Sequence, residues 1–172
     1  FDKLLFSIHG GDEETYRKLQ GGDINRIFNT IDKINKKRIE KGSIYPRLGV
    51  NFALNKVNAK SIFNLIDKAN EIGIDYIHVQ HYYDARNAME PEYKIKDVSY
   101  HYDPEEGNNM LDDIYAYTKE KKVELFPKEP LYLEKDLMTQ SGVGEKCIEP
   151  WRSFKIKGCV EEENTAYIGI CN

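Results

Sequence analysis

Long apolar runs are missing from this chain of 172 residues. None approaches the roughly 18 residues that a membrane-crossing helix requires, and no secretory leader is visible. A surplus of positive charge is missing too. The net charge is −4, which offers nucleic acid or an anionic membrane no electrostatic footing. Cysteine is scarce: the three present, Cys147, Cys159 and Cys171, all lie beyond Lys146. An odd, crowded set argues against a secreted disulfide framework. The expectation is a cytoplasmic protein with no nucleic-acid and no membrane partner, its thiols either buried and free or engaged with a metal or cluster. No G-x-G-x-x-G, phosphate loop, G-x-S-x-G or H-E-x-x-H occurs, so the usual signatures of dinucleotide binding, nucleotide hydrolysis, serine hydrolysis and zinc proteolysis are all absent. An initiator Met is also absent. Phe1-Asp2-Lys3 runs straight into Leu4-Leu5-Phe6-Ser7-Ile8, and the expectation is a sequence that opens inside a domain.

What is present is an alternation of short apolar strands with amphipathic helices. Hydrophobic residues make up 40% of the chain, enough for one real core. The first strand ends at Ser7-Ile8-His9-Gly10-Gly11, where the glycines permit a tight exit with the backbone close to a ligand. Asp12-Glu13-Glu14 opens a short helix through Leu19. Asp23 is a good cap for the next, which carries Ile24, Ile27, Phe28, Ile31 and Ile34 at helical spacing. A strand over Leu48 to Leu54 leads to Asn58, a candidate cap for a helix with Ile62, Phe63, Leu65 and Ile66 on one face. Gly73 ends it. A third strand covers Tyr76 to Gln80. The polar and aromatic stretch from His81 to Asp103 exceeds an ordinary connection and is a candidate functional loop. A helix from Pro104 through Tyr117, a strand from Val123 to Phe126 and a tail from Lys128 complete the chain.

Strands and helices at this spacing predict parallel strands with right-handed crossovers. The fold class is therefore α/β, a partial parallel (β/α) barrel over 1–127, followed by a short cysteine-containing tail over 128–172. Alternation along each strand separates an apolar set (Phe6 and Ile8, Val50, Phe52 and Leu54, Ile77 and Val79, Val123 and Leu125) from a second set. The second set is Ser7 and His9, Gly49, Asn51 and Ala53, His78 and Gln80, Glu124 and Phe126. The first is expected to face the helices. An inward layer rich in Ser, His, Asn, Gln, Gly and Ala departs from the branched apolar filling of an ordinary barrel, and leaves room and hydrogen-bonding groups for a ligand near the strand C-termini.

Ser7-Ile8-His9-Gly10, the stretch Tyr16 to Gly22, and Gly49-Val50-Asn51-Phe52-Ala53-Leu54-Asn55 followed by Asn58 together resemble the second half of a radical S-adenosylmethionine barrel. The tail from Cys147 through Pro150-Trp151 to Gly158 resembles the entry into a SPASM-type auxiliary-cluster region. The resemblance implies an enzyme that binds S-adenosylmethionine and an iron–sulfur cluster, cleaves the cofactor on cluster reduction and starts radical chemistry on a substrate. It places Ser7 and His9 near the cofactor's ribose, Asn51 and Asn55 on the next strand, His78 and Gln80 near the adenine, and Arg17 at the cofactor's carboxylate, for which a guanidinium is suited. A surface pairing of Arg17 with Glu13 or Glu14 is the alternative. The family's C-x-x-x-C-x-x-C loop would lie upstream of Phe1, so the chain by itself is expected to be inactive.

The tail departs from the family pattern. A second cysteine is expected where Glu162 and Glu163 stand, and clusters typically take four thiolates. Cys147 and Cys171 are the candidate metal ligands, Cys159 a structural or free thiol, and the auxiliary site is incomplete. Two other readings stay open. One is an aldolase- or isomerase-like barrel using His78, His9 or Glu124 in acid–base work; the other is a non-enzymatic module with a structural metal at its cysteines. The resemblance further implies a peptide or protein substrate. Tyr82, Tyr83, Tyr93, Tyr100 and Tyr102 either line an aromatic mouth for it or pack the long loop onto the barrel. Exposed sheet edges imply self-association.

Overall fold

The computed structural model describes residues 1–82 and 95–133, all within one compact unit, Phe1–Glu134. Strand β1 (Lys3–Ser7) leads to helices α1 (Glu13–Gln20) and α2 (Ile24–Glu40). Strand β2 (Arg47–Leu54), helix α3 (Ile62–Ile72) and strand β3 (Tyr76–His81) follow, then α4 (Ile95–Val98), α5 (Pro104–Thr118) and β4 (Glu124–Phe126). The strands form one sheet in sequential order β1-β2-β3-β4, and every neighbouring pair is parallel. Helices pack in chain order, α1 on α2, α2 on α3 and α3 on α5. This is the arrangement of a partial (β/α) barrel.

Local chemistry explains the boundaries. The Asp12 side chain accepts the Thr15 N–H at 2.8 Å and the Asp23 side chain accepts the Asn25 N–H at 2.8 Å, so both helices start on satisfied donors. Asn58 departs from its expected role: its side chain makes no cap bond at the helix that follows, because it is engaged on the strand side. The described end of the stretch after β3, from Ile95 onward, is also less loop-like than its composition suggests. It holds α4 and a 3-10 turn over Tyr100–Tyr102, with Tyr100 only 2% exposed.

The apolar set does face the helices. Phe6, Val50, Ile77 and Leu125 stand opposite one another across the sheet, and Ile8, Leu48, Phe52, Leu54 and Val79 join them in one core with Ile31, Ile62, Leu65, Ile66 and Ile114. Gly11 is needed here for packing: a Cβ would lie 1.8 Å from the Ser61 carbonyl oxygen. The close approach anticipated at this glycine pair is thus to the protein's own backbone. Residues 128–133, read in the sequence as the start of the tail, lie along α5. Asn108 holds the Leu133 backbone from both sides, at 3.0 and 2.8 Å, and Tyr115 donates to the Pro127 carbonyl at 2.6 Å.

Candidate functional site

Register places the polar residues in a row. Ser7 stands opposite Asn51, Asn51 opposite His78, and His78 opposite Phe126. Along the strands toward their C-terminal ends, Ala53 faces Gln80 and His9 follows Ser7 on the same side by alternation. Toward the N-terminal ends lies a floor of Leu5, Gly49, Tyr76 and Glu124. The Tyr76 ring occupies the space above Gly49, where a Cβ would meet Cζ at 2.3 Å. The Arg47 guanidinium lies 5.4 Å from that ring and 3.1 Å from Glu124. Hydrogen bonding to Glu124, first among the causes, pushes the Arg47 pKa up. Glu124 is therefore committed to a cation.

Above the floor the polar groups are less committed. Asn51 Oδ1 is buried and has no hydrogen-bond partner. An orphaned buried carbonyl forfeits about 1–3 kcal/mol, so this atom calls for a donor from outside the described residues. Ser7 and Gln80 are exposed and His78 half-buried. Burial lowers the His78 pKa, and its ring meets Phe126 edge to face at 5.2 Å.

Other expected site residues are placed differently. Asn55 is 3% exposed, and its side chain holds the turn after β2: Oδ1 accepts the N–H groups of Val57 and Asn58 at 2.9 and 3.2 Å, and Nδ2 donates to the Ala53 carbonyl at 3.3 Å. Arg17 lies on the exposed side of α1 in an ion pair with Glu13. Tyr100 packs into the core with Lys56 5.7 Å above its ring, and burial, the leading cause, pushes its hydroxyl up to about 12. That position removes Tyr100 from any open mouth, whereas Tyr102 is 43% exposed. Tyr83, Tyr93, Cys147 and Cys171 lie outside the described residues.

Sequence reasoning missed four contributors: Gln20, which bridges the backbone of Ser7 and His9; Asn58 in its bracing role; the Arg47–Tyr76 floor; and the pair His81 and His101. The two rings of that pair meet at 5.9 Å, edge to face. His81 falls on the core side of β3, and burial first, then His101, lowers its pKa to about 4. The only available signal was the parity of His81, opposite to that of His78.

The open row suits an adenosyl-type ligand. It offers an acceptor at Asn51, a donor–acceptor hydroxyl at Ser7, an amide at Gln80 and an imidazole at His9, all on one face. An iron–sulfur cluster finds no such fit among the described residues, where no group of three metal-ligating side chains occurs.

No protein-family model matches the chain. It is 28% identical over 78 residues to the probable GTP 3',8-cyclase of two strains of Saccharolobus islandicus, a match covering 45% of this chain and 24% of each relative. The chain thus matches about a quarter of the length of those relatives. Its fold matches Streptococcus suis SuiB with a TM-score of 0.51 at 17% identity, over 72% of this chain and 26% of that one. SuiB bound to S-adenosylmethionine matches with a TM-score of 0.51 at 16% identity, over 75% of this chain and 30% of the other.

Proposed function

We infer that this chain, a radical S-adenosylmethionine superfamily protein by its fold and its similarity to the probable cyclase, is the second half of the barrel of an enzyme that holds S-adenosylmethionine on the open sheet face. The observation that carries this is the row Ser7–Asn51–His78 with its unpartnered, buried Asn51 oxygen. The cofactor, with a cluster supplied from outside the described residues, would supply the radical chemistry. The chain's own residues bind and orient. Asn51 accepts a hydrogen bond from the ligand, Ser7 and Gln80 flank it, and the Tyr76 floor limits how deep it sits. We further propose Cys147 and Cys171 as metal ligands of the tail, a peptide or protein substrate, a cytoplasmic setting, and inactivity of the chain by itself for want of the cluster loop. Among the described residues no helix is long and apolar enough to cross a membrane.

The test is calorimetric titration with S-adenosylhomocysteine, an unreactive relative of the cofactor. One site is expected, and Asn51→Ala should weaken it about tenfold, the worth of one hydrogen bond to a buried acceptor. Unchanged affinity in that variant sinks the assignment of the row.

A further inference from the structure

Between β1 and β2 the backbone ladder stops early. Ile8 donates its N–H to the Asn51 carbonyl at 3.1 Å, and a continuing parallel ladder would carry the Ala53 N–H to the Ile8 carbonyl. That N–H goes instead to Nδ1 of His9, at 3.1 Å. Asn58 takes over the next position, its Nδ2 donating to the Ala53 carbonyl and to the His9 carbonyl, both at 2.8 Å. Asn58 is 0% exposed. On the outer edge of β1, Gln20 Oε1 accepts the His9 N–H at 2.6 Å while its Nε2 donates to the Ser7 carbonyl at 3.0 Å. The strands part at the mouth of the polar face, and His9 is fixed there by its N–H, its carbonyl and its ring.

This bonding dictates the tautomer. A backbone N–H only donates, so Nδ1 carries the lone pair and the proton of the neutral ring sits on Nε2. Burial keeps the ring below its ordinary pKa, which favours the neutral form. Nε2 has no hydrogen-bond partner among the described residues.

We propose that His9 serves the ligand on this face as a neutral hydrogen-bond donor through Nε2–H, directed to an oxygen acceptor, and that Asn58 and Gln20 are its positioning residues. The proposal rests on the reading of the face as an S-adenosylmethionine site and goes beyond it by fixing the tautomer and the direction of the bond. It also removes His9 as a general base at Nδ1, because that lone pair is already taken.

The full chain, labelled with ¹⁵N at histidine, tests this by long-range ¹H–¹⁵N correlation at neutral pH. Without ligand, His9 should be in the Nε2–H form; an Nδ1–H form or an imidazolium overturns the proposal. On addition of S-adenosylhomocysteine the Nε2–H resonance should move and exchange more slowly with solvent. Binding that leaves His9 unmoved overturns the donor role and spares the site. No binding, with the tautomer as expected, overturns the site and the donor role together. Gln20 is exposed, so its variants keep the core intact. Gln20→Ala should weaken binding about fivefold with the His9 tautomer retained, and Gln20→Glu, which can accept from His9 but not donate to Ser7, should fall between. Equal affinity in both variants and the parent overturns the positioning role. His9→Gln, whose amide can donate, should bind several-fold more tightly than His9→Phe; equal binding by the two overturns the donor role.

Discussion

The two ends of strand β2 are built to different ends. At its start the polar groups are closed on one another. Arg38, its side chain 9% exposed, donates to Asp75 at 2.5 Å, to Asn35 Oδ1 at 2.8 Å and to the carbonyls of Pro46 and Gly73 at 3.0 and 3.2 Å. Asp75 in turn accepts the Leu48 N–H at 2.6 Å. At its far end, backbone pairing gives way to side chains, and Asn51 keeps a buried oxygen without a partner. One end supplies stability, while the other holds hydrogen-bonding capacity in reserve. In a parallel barrel the C-terminal ends of the strands carry the site and the opposite ends carry the fold, and the hydrogen bonds here divide the same way.

Removing the closed network should give the largest effect. Arg38→Ala leaves Asp75 half-buried and without its cation, and strips donors from the Gly73 and Pro46 carbonyls. Loss of one partner of a buried ion pair destabilises by about 3–5 kcal/mol. Urea unfolding of the variant checks it, and a loss below 1 kcal/mol would show that the N-terminal end is not the stable one. Arg38→Lys should recover only part, because a single ammonium cannot reproduce the fork of contacts.

Acid should act mainly at the other end. All four histidines of the chain are held below their ordinary pKa, with burial the leading cause. His81 shows the sign most clearly. The unfolded chain takes up its proton near 6.5, whereas the folded one stays neutral down to about 4. Within that window the unfolded state binds more protons, so stability is full above it and falls as the pH drops through it. The loss attributable to His81 is about 3 kcal/mol. His81→Phe should flatten the stability profile between those limits, and a profile as steep as the parent's would assign the acid sensitivity elsewhere.

A smaller effect is expected at the floor. In Gly49→Ala the new methyl must displace the Tyr76 ring, which sits 2.3 Å from its position. Overpacking of this kind typically loses about 1–3 kcal/mol. If the face holds the cofactor as proposed, the displaced ring would crowd it, and the same substitution should weaken S-adenosylhomocysteine binding. Melting curves and titration of one variant read both effects.

Most of the fold was legible in the sequence because its signals are local. Period-two alternation separated Phe6, Val50 and Ile77 from Ser7, Asn51 and His78, and the register then set the second group side by side. Asp12 and Asp23 announced their helices. The site was less legible because side chains of one type do different work a few positions apart. Asn51 and Asn55 read alike as ligand contacts on a strand, yet Asn55 is buried in turn hydrogen bonds, and Asn58 braces two strands rather than capping a helix. Tyr100 looked like a mouth residue by composition and packs inward. Such distinctions depend on where the backbone leaves its ladder, which hydrophobic periodicity does not encode.

The finest contrast sets Asn58 against Asn51. Asn58 bonds the carbonyls of His9 and Ala53 and accepts the Asn55 N–H at 2.8 Å. Asn58→Ala thus strands buried polar groups and should destabilise by about 2–3 kcal/mol. Asn51 has an unsatisfied oxygen, so Asn51→Ala removes a desolvation penalty along with the amide. In the absence of ligand its stability should equal the parent's or exceed it by about 1 kcal/mol, while saturating S-adenosylhomocysteine should stabilise the parent more than the variant by mass action. Thermal melts with and without that ligand provide the comparison. If Asn51→Ala without ligand melted as far below the parent as Asn58→Ala does, the Asn51 amide would be a structural tie, and the two ends of β2 would no longer differ in kind.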